Sequence, residues 1–406
     1  MASALEGLRV IDLTVWFQGP VAAQHLADFG AEVIKVERPK GGDQGRGVRS
    51  IKALPVGDWN QYFLVINRNK KSMALDLKTE AGREIMHRLV AQSDVFLSNL
   101  GADNLEAWGL TWEKLHAINP KLIYATTTGY GPYATTSKPS FDMTVQALTG
   151  LMSRLGEPDQ PPIYLGMGSG DAYGGLMAAL AILLALWRRN TTGVGQHIDA
   201  SLYGAQLFLA APTLQAWLAT RDTRWSAQQS RTAARNPLWN TYRAKDQWMM
   251  LCVPNRDDAF RAFSGSVGDA TIAAEAKFAS AAGRREHARE LIAKLDAAIA
   301  TRTAAEWMTR WATLGPRGVA ASPVATLADL AEDAQAWAND YLSETHCEEV
   351  NRTVTVRGMP VTLSKTPGTI RSLGPELGQD TEMILFEMLG YDWDEIGALK
   401  AAGAIP

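Results

Sequence analysis

Cysteine is scarce in this sequence: Cys252 and Cys347 are the only two in 406 residues. Two thiols cannot staple a chain of this length, and their spacing matches no zinc motif, so a disulfide framework and a cysteine-based metal centre are excluded. Their scarcity points to a reducing, cytoplasmic compartment. The histidines are few and scattered, with no HxxxH or HxH pair, so no metal is expected. An excess of one charge is also missing. Forty Lys and Arg against 43 Asp and Glu leave a net charge of −3, and no global field draws in nucleic acid or an anionic membrane. The segment Met1–Gly7 lacks the basic and apolar regions of a signal peptide. Long apolar runs are absent too. The longest, Leu176–Trp187, falls short of the about 18 residues of a membrane span and reads as a buried core helix. There is no Walker lysine motif, and Gly168-Ser169-Gly170 lacks the spacing of a serine-hydrolase elbow.

What remains is a globular composition, 46% apolar and 20% charged. At roughly 150 residues per domain the length suggests two or three folding units. Leu8–Thr14 is a short β-branched run, Pro20–Phe29 a small-residue helix and Glu32–Glu37 a second strand. This is a βαβ unit, which implies a parallel sheet. The rhythm continues through strands at Ser72–Asp76, Val95–Ser98 and Leu122–Thr127, with helices at Thr79–Gln92 and Trp112–Ile118. The fold class is therefore α/β: a large, doubly wound, Rossmann-like domain over residues 1–200, completed by 330–406. Residues 201–224 form a linker, with the helix Ala205–Leu218 kinked at Pro212. A smaller α/β domain occupies 225–325, starting with a hairpin at Asn240–Cys252. Residues 326–406 return to the large domain and end in helices Asp380–Leu389 and Asp394–Ala402.

The most distinctive local feature is the glycine-rich stretch Tyr164–Asp171 (YLGMGSGD), which opens the apolar helix. Its glycines do not fit the dinucleotide fingerprint, because Asp171 stands where a third glycine belongs. Two readings stay open. Asp171 is an N-cap that satisfies the first turn. Alternatively it is an exposed, ionised nucleophile beside a backbone that a bulky electrophile can approach. A second feature is basic: Arg38, Lys40, Arg46 and Arg49 interleaved with glycines after the second strand, joined by Asn67–Ser72 (NRNKKS) before another strand. Each cluster alone reads as a solvated surface. Two beside neighbouring strands point to a polyphosphate ligand.

In order along the chain, LEGLRVIDLT, GAEVIKVERP, NRNKKSMALDLKT, GLTWEKLHAINPKLIYATTTGYG, GDAYGGLMAALAILLAL, TGVGQHIDASL and GPELGQDTEMI resemble the family III CoA-transferases over nearly the whole chain. The resemblance implies an enzyme that moves CoA from an acyl-CoA donor to a carboxylic acid acceptor. Asp171 is the nucleophile, acting through a mixed anhydride and an aspartyl-CoA thioester. It implies CoA as co-substrate with no permanently bound cofactor. CoA contacts fall at Val15, Trp16, Arg38, Asn69, Lys71, Asn99 and Leu100, and a substrate pocket at Phe17, Gln18, Phe141 and Asp142, together with the region Asn236–Tyr242. Bulky Trp16 and Phe17 suggest a medium or aromatic acyl group. Ala107, with Trp108 beside it, stands where formyl-CoA transferases carry an arginine. The resemblance further implies a homodimer of interlocked rings. Racemases of 2-methylacyl-CoA esters share the fold, but they pair the aspartate with a histidine, and here the segment reads Ser140-Phe141-Asp142. A CoA-ester binder without catalysis is the remaining alternative, disfavoured by the intact Asp171.

Overall fold

A computed structural model describes residues 3–51, 57–136, 138–268, 270–314 and 319–406. Met1 and Ala2 of the N-terminal segment lie outside the described residues. The chain divides into two units, one of Met1–Leu151, Tyr164–Leu214 and Ala334–Pro406, the other of Met152–Ile163 and Gln215–Asp333.

In the first unit, strands β1 (Arg9–Leu13), β2 (Glu32–Glu37), β3 (Lys70–Ala74), β4 (Val95–Ser98), β5 (Ile123–Thr126) and β6 (Gln196–Asp199) form one sheet in the order β3-β2-β1-β4-β5-β6. Every pairing is parallel, with Val10 opposite both Val33 and Val95 in register. The strands are β-branched and nearly unbroken in apolar character because helices cover both faces. One face packs Ile11, Ile34, Phe96 and Tyr124. The other packs Val10, Val33, Val95 and Ile123 against helices α1 (Gln18–Asp28) and, later in the chain, Ser169–Thr192. Helices α2 (Gln61–Ile66), α3 (Glu80–Ala91), α4 (Ala102–Ala107), α5 (Trp112–Ile118) and α6 (Asp142–Leu148) fill the connections. The strand order reverses between β2 and β4 around β1, which opens a crevice at the carboxyl ends of the strands.

Helix α7 (Ser169–Thr192) corrects the expectation of a buried core helix. It has 24 residues, and only the face with Gly174, Ala178, Ile182 and Ala185 is buried. Leu176, Leu180, Leu183, Leu184 and Trp187 form an exposed apolar stripe on the other side. Among the described residues it is the one helix long and apolar enough to cross a membrane by length and composition, with 44% of its apolar window buried. The helix expected to kink at Pro212 is two helices, α8 (Leu202–Leu209) and α9 (Ala211–Thr220), because the chain breaks at Ala210 just before the proline.

The remainder of the first unit contains an antiparallel hairpin, Leu342–Cys347 with Arg352–Arg357, that the sequence reading did not foresee. Val354, Val356 and Cys347 pack with Val65 and Leu373. Cys252 and Cys347 are both free thiols.

The second unit has a three-stranded antiparallel sheet, β7 (Trp239–Arg243), β8 (Trp248–Cys252) and β9 (Ala320–Pro323). Helices Asp257–Ser266, Ala288–Ile299 and Ala304–Ala312 enclose a core of Phe260, Phe263, Leu291, Trp307 and Trp311. Tyr242 belongs to that core, and its hydroxyl donates to the Pro237 carbonyl at 2.5 Å.

Candidate active site

Two cavities of the first unit open at the crevice of the parallel sheet. The larger, about 380 Å³, brings together the loop Val15–Gln18 after β1, Asn99 and Leu100 after β4, Thr127 after β5, Phe141 and Asp142 at the start of α6, and Asp171. The second, about 310 Å³, holds Arg38 after β2 with Leu75, Lys78, Asn104 and Trp108. Val15 and Leu100 line both. Loops at the carboxyl ends of adjacent parallel strands converge by topology, which is why residues so distant in sequence meet here.

Asp171 is the third residue of α7, and Gly168 precedes the helix with φ +78°, a backbone that only glycine adopts freely. The tight entry places the carboxylate at the positive end of a long helix. Asp171 is half-buried, and its side chain makes no hydrogen bond among the described residues. Asp142 is buried, and its Oδ1 accepts from Gln146 and Gln206 Nε2, each at 3.1 Å, while Oδ2 is buried without a partner. An added Cβ at Gly170 would collide with Gln206 Nε2 and Asp142 Oδ1, so that glycine serves this close packing rather than an approach route.

Burial, and then the negative charge of Asp142, push the Asp171 carboxyl up to about 7. The expectation of an exposed, fully ionised aspartate is therefore corrected. The helix dipole does not outweigh the loss of water and a second carboxylate in the same cavity.

The structure places the other expected residues as follows. Trp16 is 37% exposed, and Phe17 stacks at a tilt on Tyr62, with ring centroids 5.5 Å apart. Gln18 is buried and donates from Nε2 to the Ala200 carbonyl at 3.1 Å. Both polar ends of Asn99 are taken by Val15: Oδ1 accepts the Val15 amide at 2.9 Å and Nδ2 donates to the Val15 carbonyl at 2.7 Å. Asn99 thus clamps the loop that lines the cavity. Phe141 is 63% exposed at the cavity edge. Arg38 is exposed, donates from Nε to the Gly42 carbonyl at 3.0 Å, and makes no ion pair among the described residues.

Asn69 and Lys71 do not join these cavities; they line a separate cleft with Arg371 and His346. The Asn69 amide is consumed, donating to Asp28 Oδ1 at 2.7 Å and the Thr369 carbonyl at 2.8 Å and accepting from the Arg371 amide at 2.7 Å. Lys71 pairs with Glu32 at 2.7 Å. The basic character of NRNKKS is largely structural. Arg68 is buried against Asp28 at 2.7 Å. Lys70 is buried against Asp12 at 2.8 Å, and burial, only partly offset by Asp12, pulls its pKa down to about 8. In the loop after β2, Arg46 pairs with Glu37 and Arg49 with Glu349, and both line the cleft of Asn69 and Lys71, whereas Arg38 lines the smaller cavity together with Lys78.

Sequence reasoning missed Tyr62, whose hydroxyl is held far above the phenol range by burial and by the charges of Asp171 and Asp43. It also missed Leu75 and Lys78 beside Arg38, and Gln206 beside Asp142. The LDLK stretch that follows β3 at the same edge as Arg38 was the available signal for Leu75 and Lys78. No spacing linked Gln206 or Tyr62 to Asp171. Among the described residues, no group of three or more His, Cys, Asp or Glu is arranged to hold a metal ion.

Residues 5–381 match the model of CoA-transferase family III. A succinyl-CoA–D-citramalate CoA-transferase of Chloroflexus aurantiacus is 32% identical over 99% of this chain and 98% of that protein. A succinyl-CoA:glutarate CoA-transferase of Mus musculus is 32% identical over 99% of this chain and 90% of its own. A formyl-CoA:oxalate CoA-transferase of Rhodopseudomonas palustris is 30% identical over 100% of this chain and 98% of its own. Among solved structures, a CAIB/BAIF family protein from Brucella suis superposes with a TM-score of 0.82 at 32% identity, covering 95% of this chain and all of that one. Rv3272 from Mycobacterium tuberculosis follows with a TM-score of 0.80 at 29% identity, over 94% of this chain and 99% of that one. With the parallel sheet and the crevice already described, these likenesses identify the chain as an enzyme that belongs to CoA-transferase family III.

Proposed function

We propose that the chain moves CoA between carboxylic acids by covalent catalysis at Asp171. The observation that carries this reading is a half-buried carboxylate with no hydrogen-bond partner, at the start of a long helix and open to a cavity. Asp171 attacks the donor thioester carbonyl and the CoA thiolate leaves, giving a mixed anhydride. The thiolate then attacks the aspartyl carbonyl, releasing the donor acid and forming an aspartyl-CoA thioester. The acceptor carboxylate displaces CoA in turn, and the thiolate takes the acceptor acyl group from the second anhydride and frees Asp171. Each bond made replaces an activated one, so the thioester's energy is kept. A carboxylate raised to about 7 is more basic than an ordinary aspartate and so a better nucleophile, while still ionised in good part at neutral pH.

In this reading the nucleotide end of CoA lies in the cavity of Arg38 and Lys78, where the cations meet its phosphates, and the thioester passes Val15 and Leu100 to reach Asp171. Asn69 and Lys71 are left out because their polar groups are used in another cleft. Trp16 and Phe17 favour a medium or aromatic acyl group; the named relatives use succinyl and formyl donors. The α-proton chemistry of a racemase has less support, since among the described residues no histidine lines the cavity to pair with Asp171. A homodimer is part of the proposal, with the exposed stripe Leu176, Leu180, Leu184 and Trp187 of α7 covered by a second copy.

The test is transfer itself. Wild-type protein and Asp171→Ala are incubated with acetyl-, succinyl- or benzoyl-CoA and a panel of mono- and dicarboxylic acids, and new CoA esters are separated by liquid chromatography. The reading expects new esters with wild type and none with Asp171→Ala. Equal conversion by the variant would remove Asp171 from the reaction.

A further inference from the structure

Trp16 has φ +67°, a left-handed backbone that a bulky L-residue avoids unless its surroundings impose it. The residue lies in the loop lining the larger cavity. Its amide donates to Asp43 Oδ1 at 3.1 Å, and the same oxygen accepts the Gly45 amide at 2.8 Å. The other oxygen, Oδ2, pairs with Lys35 Nζ at 2.8 Å, and both side chains are fully buried. Lys35 Nζ also donates to the Thr14 carbonyl at 2.8 Å, so one buried ion pair grips the loop at Thr14 and at Trp16. Val15, between them, is held on both sides by Asn99.

The position of Asp43 is itself determined. Gly42 has φ +55°, and a Cβ there would lie 2.6 Å from Glu37 Oε2. That oxygen accepts the Asp43 amide at 2.9 Å and Arg46 Nε at 2.7 Å. Arg38 donates to the Gly42 carbonyl at 3.0 Å. Arg38 of one cavity and Trp16 in the wall of the other are thus joined through two consecutive residues, Gly42 and Asp43.

We propose that Asp43, paired with Lys35, is a positioning residue: it holds Trp16 in its left-handed conformation and so sets the wall of the cavity against which the acyl group of a CoA ester packs. The proposal rests on the CoA-transfer reading of that cavity. Asp43 acts through Trp16 and contacts no substrate. A purely structural ion pair would stabilise the fold without affecting the choice among acyl groups.

The experiment labels the protein with 5-fluorotryptophan and identifies the Trp16 fluorine resonance by its loss in Trp16→Phe. In Asp43→Ala the Trp16 resonance is expected to shift or split, while those of Trp307 and Trp311 in the second unit stay in place. An unmoved Trp16 resonance in folded Asp43→Ala overturns the proposal. Should Asp43→Ala fail to fold because Lys35 is stranded, Trp16→Gly and Trp16→Ala decide. Both lack the indole, and the glycine variant is expected to melt several degrees higher because only glycine accepts φ +67° freely. Equal melting, or the reverse order, overturns the proposal.

Calorimetric titration with free CoA, acetyl-CoA, succinyl-CoA and benzoyl-CoA reads the functional half. With Asp43→Ala, or with Trp16→Gly if that variant is unfolded, affinity for at least one ester should change severalfold relative to free CoA. Uniform ratios overturn the claim about the acyl wall. Failure of wild type to bind any CoA compound would instead overturn the CoA reading, while the fluorine spectra, taken without ligand, still judge the link between Asp43 and Trp16.

Discussion

Asp142 and Asp171 line one cavity, and the charge of the first adds to burial in raising the carboxyl of the second to about 7. The ionised form of Asp171 is the nucleophilic one, so kcat/KM should rise through about pH 7 rather than near the ordinary aspartate value of about 4. Asp142→Asn removes the repulsion and should move this limb to lower pH. It should not restore the ordinary value, because burial is the larger cause. An acidic limb that stays in place in Asp142→Asn would show that Asp142 does not act on Asp171.

The same shift has a sign for stability. The folded-state value of Asp171 lies above the unfolded one, so the folded chain binds the proton more tightly. Below about pH 4 both states are protonated and the group is neutral in effect. As pH rises from about 4 through about 7, the unfolded state ionises first and stability is lost. Asp171→Asn should therefore unfold at higher urea than wild type at pH 8, with the difference vanishing near pH 4. Equal midpoints at pH 8 would contradict the shift.

Arg38 and Lys71 were expected to share one ligand, and they line different clefts. Arg38→Ala should raise KM for CoA esters about tenfold with a much smaller change in kcat, the mark of lost uniform binding. Lys71→Ala should leave both nearly unchanged, since it loses only an exposed pair with Glu32. Steady-state kinetics on the two variants separates the clefts; a large KM effect from Lys71→Ala would reverse the assignment.

The buried pair of Asp28 and Arg68 is a structural commitment, with each side chain 1% exposed. Arg68 also donates to the Gly358 carbonyl at 3.2 Å, tying the chain before β3 to the segment after the C-terminal hairpin. Asp28→Ala strands the guanidinium and should cost roughly 3–5 kcal/mol in chemical unfolding. A loss under about 1 kcal/mol, the range of an exposed pair, would mean that water reaches Arg68.

For the proposed homodimer, Leu180→Glu combined with Trp187→Glu places charge on the exposed stripe of α7 without touching its buried face. Light scattering should show wild type as a dimer and the variant shifted toward monomer. A monomeric wild type, or an undisturbed dimer in the variant, would remove that stripe from the interface.

Much of the sheet was legible because hydrophobic runs and helical periods are local signals. The bounds of β2, β4 and α5 coincide with those read from sequence, and the βαβ rhythm implies the parallel order. The hairpin Leu342–Cys347 with Arg352–Arg357 was not legible, since its alternation is interrupted by charges and its apolar face is completed by Val65 and Leu373, far away in sequence. β9 was hidden for a similar reason: a four-residue strand, Ala320–Pro323, gains its meaning only by pairing with β8. In the site, the glycine-rich stretch marked Asp171 at the start of a helix but left its role open between cap and nucleophile, and the resemblance made it the candidate nucleophile. Its protonation was not legible, because that depends on burial and on Asp142 across the cavity. Arg68 and Lys70 read as surface cations because their partners, Asp28 and Asp12, belong to elements separated from them by a strand and its connection.

The most direct measurement is peptide mass spectrometry of wild-type protein incubated with acetyl-, succinyl- and benzoyl-CoA and quenched with hydroxylamine or borohydride. The account predicts a modified Asp171, a hydroxamate after hydroxylamine and an alcohol after borohydride, with at least one of these esters. An unmodified Asp171 in protein that is turning the same ester over, or a modification at another residue, would contradict covalent transfer through Asp171.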